Sequence, residues 1–244
     1  MLSFNDLKYS LRHRVINRTR LCLKYPKYWA RFGRSLPTFY TTIEVDPRNI
    51  VNFVYPGFYT NSRTPRFEDG DWDRNVRFDS VRSYSGSDRR AVFSIEEYDI
   101  YKSMYNRYVN GRDWRNTRFY SNAMEKIQKG RNWQGCTSEE ELLTRLSYLD
   151  TLYMNIEQNG YKSAEELGKH ISQEITVSIG RNGEIFMDDG RHRLFIAKIL
   201  DLEKIPVWVL VRHRKWQELR QDIRKSSEIV SSNLDNHADL RDLD

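Results

Sequence analysis

Residues 175–211 read ITVSIGRNGEIFMDDGRHRLFIAKILDLEKIPVWVLV, and this stretch decides the fold. It opens with β-branched residues that alternate with polar ones, the pattern of a half-buried strand: Ile175, Val177 and Ile179. The dipeptide Asn182-Gly183 is favoured in two-residue hairpin turns. We therefore predict a β-hairpin whose second strand covers residues 184–187.

The second half of the stretch predicts a helix and another strand. Apolar residues recur three positions apart within residues 191–200, as on one face of a helix. Residues 205–211 form a short apolar run of the kind found in buried strands. Strand, glycine turn, helix and strand in this order are typical of a βαβ unit with a right-handed crossover. The predicted fold class is α/β, with a mixed sheet built around this unit.

The rest of the chain carries weaker signals. The predicted elements are a strand at 41–45 and helices at 94–109, 118–129, 137–158 and 214–224. The helix at 94–109 would open with a capping box between Ser94 and Glu97. Residues 52–90 are rich in Gly, Pro, Ser, Asp and Arg, so we expect an irregular stretch there. Residues 226–244 are polar and are expected to form a frayed tail.

Positive charge is concentrated at the N-terminus. The 244-residue chain has 40 Lys and Arg against 34 Asp and Glu, and nine of the basic but only two of the acidic residues lie within 1–44. Leu7, Leu11 and Val15 recur four positions apart, which predicts an amphipathic helix over about the first 25 residues, ended by Pro26.

Two interpretations of this basic segment stay open. It can contact nucleic acid or an anionic membrane surface, with aromatic side chains at the interface: Tyr25, Tyr28, Trp29 and Phe32. Alternatively, it is a solvated helix that docks on the rest of the chain.

Composition limits the class of protein. A content of 39% hydrophobic and 30% charged residues is typical of a globular chain. The apolar run at 205–211 is far shorter than the ~20 residues of a membrane-spanning helix. No apolar stretch of signal-peptide length lies near the start, and Cys22 and Cys136 are far apart without metal-ligand spacing. We expect a cytoplasmic protein without a transmembrane segment.

The turn Asp188-Asp189-Gly190-Arg191-His192-Arg193 is the strongest candidate for chemistry. It lies where a strand ends and a helix begins, and the unpaired amides and dipole of a helix N-terminus favour a phosphate group. Gly190 lets the backbone approach a ligand, Arg191 and Arg193 can bind phosphate oxygens, and His192 adds a donor or a proton carrier. Asp188 and Asp189 can hold Mg²⁺ or act as a base. Alternatively, Asp189 only caps the helix and both arginines extend over its surface.

A second acidic cluster precedes the helices. The stretch Glu68-Asp69-Gly70-Asp71-Trp72-Asp73 places four carboxylates in one glycine-containing loop, where they can bind a metal ion or supply a base. The alternative is an exposed acidic loop that pairs with neighbouring arginines: Arg63, Arg66, Arg74 and Arg77.

A pattern of apolar, glycine and charged positions runs through residues 140–211. Its members are Leu142, Leu149, Ile156, Gly160, Val177, Gly183, the turn at 189–193, Ala197, Leu200 and the run at 205–207. This pattern resembles the ParB/sulfiredoxin superfamily domain, with residues 42–50 as its first strand. The resemblance covers about residues 140–211 and implies that the helices N-terminal to it are an insertion. Together with the charge distribution and the polar C-terminal residues, it gives the expected organisation: a basic helical segment over 1–40, a domain over 41–225 with a helical insertion at about 91–135, and a flexible tail over 226–244.

The resemblance implies that the turn and the following helix bind a nucleotide. Sulfiredoxins use ATP, ParB partition proteins use CTP, and the related free-serine kinases transfer phosphate from a nucleotide to a small hydroxyl compound. Sulfiredoxins need a cysteine in the turn, where this chain has Arg191, and the ParB DNA-binding domain would need more residues than follow 211. The kinase turn, DGHHR, differs from residues 189–193 at one position.

The resemblance therefore favours an ATP-dependent phosphotransferase, with Mg²⁺, that acts on a hydroxyl of a small metabolite or glycan. In the kinase branch an acidic residue after the first strand activates the acceptor, which makes Glu68 and Asp73 candidates beside Asp189. The alternative is a non-catalytic, nucleotide-responsive binding module that contacts nucleic acid or an anionic membrane through residues 1–44.

Overall fold

The predicted hairpin lies at the centre of a mixed β-sheet. The structure is a computed structural model and describes residues 19, 21–55, 57–58, 62–74, 91–226, 234 and 236–243. Its strands are β1 Thr42–Val45, β2 Asn52–Tyr55, β3 Arg66–Glu68, β4 Ala91–Ser94, β5 Ile175–Ile179, β6 Ile185–Asp189 and β7 Ile205–His213. The strand order is β1-β7-β5-β6-β2-β4, and β3 pairs with the C-terminal end of β7. The predicted α/β class with a mixed sheet is confirmed.

The helices pack around this sheet. They are α1 21–32, α2 Asp99–Tyr108, α3 Arg118–Gln128, α4 Glu139–Asn159, α5 Arg191–Ile199 and α6 Arg214–Ser226. The last four lie within two residues of their predicted bounds. Helix α2 begins at Asp99, so the predicted capping box is wrong: Ser94 is held extended in β4, opposite Asn52 of β2. None of the described helices is long and apolar enough to cross a bilayer.

The predicted βαβ unit has its elements in the expected order, but its strands are not parallel neighbours. Strand β5 is antiparallel to β6 and parallel to β7, and it lies between them. The hairpin at Asn182-Gly183 reverses the chain, so β6 and α5 together connect the parallel pair β5 and β7. As a result, the C-terminal end of β6 and the N-terminal ends of β5 and β7 lie at the same end of the strands.

The stretch at 52–90, predicted to be irregular, contributes two strands to the sheet. Strands β2 and β3 lie within it, and β4 follows at the start of the predicted helical insertion. Aromatic side chains explain part of this ordering, because Phe53 and Phe93 stack across the paired strands with ring centroids 5.3 Å apart. Residues 75–90 lie outside the described part of the chain.

Helix α1 continues past Pro26 to residue 32, so the predicted helix end is wrong. Leu21 and Phe32 are buried on one side of α1, and Tyr28 packs edge-on against Phe67 at 4.8 Å. This seam docks residues 21–32 on the body, in agreement with the docked-helix interpretation. Leu7, Leu11 and Val15 lie outside the described residues.

The predicted frayed tail is wrong for residues 236–243. Ala238–Leu243 forms a 3₁₀-helix, and Asp239 within it is buried. The Asp239 carboxylate accepts hydrogen bonds from Arg212 at 3.0 Å and from Trp216 Nε1 at 2.9 Å, and it pairs with Arg220 at 3.3 Å. Burial alone would raise the pKa of Asp239, but the two arginines lower it to about 2. Residues 236–243 are thus fixed by a buried charge network, which their polar composition does not predict.

Candidate functional site

The turn predicted to carry chemistry opens into a cleft of about 590 Å³. The cleft lies at the end of the sheet where β6 ends. Its lining includes the whole turn 188–193, residues 53–55 of β2, Tyr98, Tyr148 of α4 and the segment around Ala164 and Leu167. A volume of this size is typical of small-ligand sites. The structure therefore brings six of the predicted site residues together in one concave surface.

Gly190 is the residue that allows this geometry. Its φ is +88°, a backbone conformation that glycine adopts without strain, and it forms the N-cap of α5. A Cβ at this position would lie 3.0 Å from Ile175 Cα. This contact is tighter than most Cβ contacts, and together with the positive φ it would strain any residue with a side chain.

The start of α5 leaves backbone donors at the cleft. The first hydrogen bond of the helix runs from the Leu194 amide to the Gly190 carbonyl, so the amides of residues 191–193 have no partner within the helix. No side chain of the described residues caps this end. Such amides, with the positive end of the helix dipole, favour an anion.

Asp189 holds the turn in place. Its Oδ1 accepts the Gly190 amide at 2.8 Å, and its Oδ2 pairs with Arg63 at 3.0 Å. Arg63 also donates to the Ser172 carbonyl at 2.6 Å. The predicted catalytic carboxylate is therefore engaged in shaping the edge of the cleft.

Arg193 is engaged in an ion pair with a buried carboxylate. Its guanidinium lies 3.2 Å from Glu174 Oε1, and it also donates to the Gln173 carbonyl. The Glu174 side chain is 1% exposed and accepts the Tyr161 hydroxyl and the Ala164 amide, each at 2.6 Å. This contact ties α5 to the segment at 161–174, so Arg193 does not extend over the helix surface as the alternative interpretation proposed.

Arg191 and His192 are the turn residues that retain capacity for a ligand. Arg191 donates to the Tyr98 hydroxyl at 2.9 Å. Its Nη2 also lies 3.5 Å from the side-chain oxygen of Gln134, a long hydrogen bond. Burial lowers the pKa of His192 to about 4, and the charges of Arg191 and Arg145 act in the same direction. The imidazole is therefore neutral at pH 7, and it can donate one hydrogen bond and accept another.

Asp188 is the candidate metal ligand that lies in the cleft. Asp188 is 6% exposed, and it lines the cleft together with Asp189. The described residues contain no cluster of three or more His, Cys, Asp or Glu that could hold a metal ion alone. One or two carboxylates fit Mg²⁺ when phosphate oxygens supply further ligands.

Glu68 and Asp73 lie away from the turn, which contradicts their predicted role there. Asp73 contacts Gly180 and pairs with Arg181 at 2.6 Å, beyond the far end of β5. Glu68 pairs with Arg66 at 2.5 Å and lies opposite His213 at the end of β7. Burial raises the pKa of Asp73, but hydrogen bonds from Arg181 lower it overall. The loop at 68–73 is thus an arginine-paired structural loop. Its alternative interpretation is correct for Arg66, whereas the buried Asp73 pairs with Arg181, which was not among the predicted partners.

Several residues in and around the cleft carry no signal in the sequence. Glu174 precedes β5 and Arg63 lies in a stretch without periodicity, yet both fix the turn by ion pairs. Tyr98 and Tyr148 come from two different helical regions, and only the fold brings them to the same cleft. Gln134 adopts φ +51°, which nothing in its residue type predicts.

Comparisons of the chain with protein-family models, with curated proteins and with solved structures found no match.

The ion pair of Arg193 gives a prediction about stability. Arg193→Ala leaves the Glu174 carboxylate buried without its cation, so the free energy of unfolding should fall by about 1–3 kcal/mol. Arg191→Ala removes a contact to a tyrosine hydroxyl and should cost less than about 1.5 kcal/mol. Urea unfolding of both variants measures the difference. Equal, small losses would contradict the structural role of Arg193.

Proposed function

We propose that the cleft binds a nucleoside triphosphate, ATP with Mg²⁺, and transfers its terminal phosphoryl group to a hydroxyl of a small metabolite or glycan. The observation that carries this proposal is the meeting of three unpaired amides, an arginine and a neutral imidazole in one cleft at the start of α5.

The phosphate chain is assigned to the start of α5. The amides of residues 191–193 supply donors in fixed positions, and Arg191 supplies a permanent positive charge beside them. His192 can add a hydrogen bond from its neutral ring. Lys169 also lines the cleft and adds a second cation. These groups match the charge and the oxygen acceptors of a polyphosphate.

The base and sugar are assigned to the apolar part of the cleft. Phe53, Tyr55 and Met187 line it, and Tyr55 stays 46% exposed although its ring is large and apolar. Leu167, from a different segment of the lining, is 47% exposed. Exposed apolar side chains at the mouth of a cleft favour a flat aromatic ligand, because its binding removes them from water.

Asp188, with Asp189 beside it, would hold Mg²⁺ together with the phosphates. The bound ion would neutralise part of the phosphate charge during transfer. Asp188 is buried at the cleft and has the ligand chemistry that Mg²⁺ prefers. Since phosphoryl transfer depends mainly on positioning and electrostatics, the fixed amides and Arg191 would supply the chain's main contribution.

The resemblance to the ParB/sulfiredoxin superfamily supports the same assignment. The kinase branch of that superfamily carries its nucleotide on a DGHHR turn, and residues 189–193 match four of those five positions. One departure concerns Arg193, which is engaged with Glu174 and contributes to phosphate binding through its backbone amide.

Calorimetry with ATP and Mg²⁺ tests the nucleotide site. Arg191→Ala should weaken binding about ten- to a hundredfold, the effect of losing one charged hydrogen bond. Arg48→Ala is the matched control, because Arg48 is an exposed arginine outside the cleft lining, and its binding should equal that of the wild type. Unchanged affinity in Arg191→Ala, or no ATP binding at all, would refute the site.

A binding module without turnover is the second candidate. Ion pairs engage all three carboxylates predicted to be catalytic: Asp189 with Arg63, Asp73 with Arg181 and Glu68 with Arg66. The loss of a free carboxylate base favours binding over catalysis. Transfer of labelled phosphate from ATP to metabolite pools separates the candidates, since only the first yields a product, and Asp188→Asn should abolish it.

The partner of such a module would contact exposed residues of α1. Leu23, Tyr25 and Trp29 are 74%, 43% and 51% exposed, and Lys24 and Lys27 are exposed beside them. The helical spacing places Tyr25 and Trp29 at the border of the docked side and Leu23 on the opposite side. Exposed aromatic and apolar side chains beside basic ones are typical of helices that lie on anionic membranes. We assign these exposed residues to contact with an anionic lipid surface.

Vesicle sedimentation tests this assignment. The protein should bind vesicles of equal phosphatidylglycerol and phosphatidylcholine, and less so as salt rises, because the lysines contribute by charge. Leu23→Ser with Trp29→Ser should reduce binding at least tenfold, whereas Met154→Ser, an exposed apolar residue of α4, should not. Binding to DNA or RNA but not to these vesicles would contradict the assignment.

A further inference from the structure

A second groove adjoins the nucleotide cleft. It encloses about 610 Å³ between the first turns of α4 and the turn at 134–136. Tyr148 and His192 line both the cleft and the groove. A molecule in the groove would therefore lie next to the start of α5, where the phosphate chain of the nucleotide is assigned.

The turn at 134–136 is held in an unusual backbone conformation. Gln134 has φ +51°, which costs free energy for a residue with a side chain, and backbone hydrogen bonds between Trp133 and Cys136 close the turn. The Gln134 amide oxygen accepts from Arg145 at 3.2 Å. The wall of the groove thus presents the side-chain amide of Gln134 and the guanidinium of Arg145, two planar groups that hold each other in place.

The charges in the groove do not suit an anionic ligand. Arg145 is the arginine of its lining and already binds Gln134 through two nitrogens. Glu141 accepts the Thr137 amide and hydroxyl, whereas Glu140 is exposed and makes no ion pair with the described residues. The Glu140 carboxylate repels phosphates and carboxylates, because the nearby Arg145 is already bound to Gln134. The same carboxylate can accept hydrogen bonds from hydroxyl groups.

The remaining lining suits a molecule with one apolar face. The Tyr148 ring is 64% exposed, and Cys136 and Leu149 form a buried apolar floor. The Thr144 hydroxyl lies one helical turn after Glu140, on the same face of α4. An exposed aromatic ring that can cover C–H groups, beside amide, carboxylate and hydroxyl groups, has the chemistry of a carbohydrate site.

We propose that this groove binds a neutral sugar or polyol, and that this compound is the phosphoryl acceptor. The proposal rests on the proposed function for its reaction, but the binding of the sugar stands on the groove alone. Glu140 and Thr144 hydrogen-bond its hydroxyl groups, and Tyr148 covers its apolar face. His192 lies between the two ligands.

The transfer step then follows from the placement of His192. The acceptor hydroxyl oxygen forms a bond to the terminal phosphorus of ATP, and the bond from that phosphorus to the bridging oxygen breaks. The electron pair of the broken bond leaves with ADP. The hydroxyl donates a hydrogen bond to the neutral imidazole of His192, which orients it toward the phosphorus, and its proton is released to solvent as the sugar phosphate forms. The products are ADP and a sugar phosphate.

Saturation-transfer NMR on the full chain tests the groove without ATP. The probes are D-glucose, myo-inositol and glycerol as neutral polyols, with L-serine and glucose 6-phosphate as charged compounds. At least one neutral polyol should show transfer from aromatic protons. Glu140→Gln should weaken its binding at least fivefold. Glu139→Gln is the matched control: it changes the neighbouring carboxylate, which pairs with Arg115 and Tyr120, and should leave binding unchanged.

The outcomes separate this inference from the proposed function. Binding of a neutral polyol that is lost in Glu140→Gln supports the groove even if calorimetry shows no ATP binding, which would refute only the transfer step. No binding of any neutral polyol, with or without ATP, would overturn the inference. Binding of only serine or glucose 6-phosphate, or equal binding in Glu140→Gln, would also overturn it. With ATP present, ³¹P NMR should detect a sugar phosphate, and His192→Gln should slow its formation at least tenfold at saturating polyol.

Discussion

The site depends on the close contact between Gly190 and the backbone of Ile175. An added Cβ would lie 3.0 Å from the Ile175 Cα, tighter than most Cβ contacts, and the positive φ of Gly190 would strain any residue with a side chain. Helix α5 can therefore begin directly at the sheet edge. The amides of its first turn have no partner within the helix, and residues 191–193 line the cleft. The cleft lies at the end of the sheet where β6 ends and where β5 and β7 begin.

Ion pairs then fix the surroundings of this contact. Asp189 binds the Gly190 amide and Arg63, and Arg193 binds the buried carboxylate of Glu174. Both pairs join the turn to chain segments that are distant in sequence. The Arg193 pair is the stronger constraint, because its loss would leave the buried Glu174 carboxylate uncompensated, whereas the pair between Asp189 and Arg63 is partly exposed. Arg191 and His192 are left as the side chains of the turn that can respond to a phosphate.

The local elements around the site could be predicted from the sequence, whereas their partners could not. The hairpin at Asn182-Gly183 and helix α5 follow from residue type and periodicity, which act over a few residues. Strand pairing depends on the whole sheet, and so the expected parallel pairing of β6 with β7 failed when β5 took the place between them. For the same reason, the loop with Glu68 and Asp73 is at the opposite end of β5 from the turn.

Charge patterns were the least reliable guide. The tail at 236–243 is polar, yet Asp239 is buried because Arg212, Arg220 and Trp216 satisfy its carboxylate. A run of charged residues can therefore form either a solvated surface or a buried network, and composition does not distinguish the two.

Amide chemical shifts of an isotope-labelled chain, recorded while ATP and Mg²⁺ are added, test the central claim most directly. The start of α5 is assigned to the phosphate chain, so the largest shift changes should fall on the amides of residues 191–193. Smaller changes are expected at Tyr98 and Tyr55, which line the same cleft. Shift changes centred on α1 or on the loop at 68–73, with the amides of 191–193 unaffected, would contradict the account.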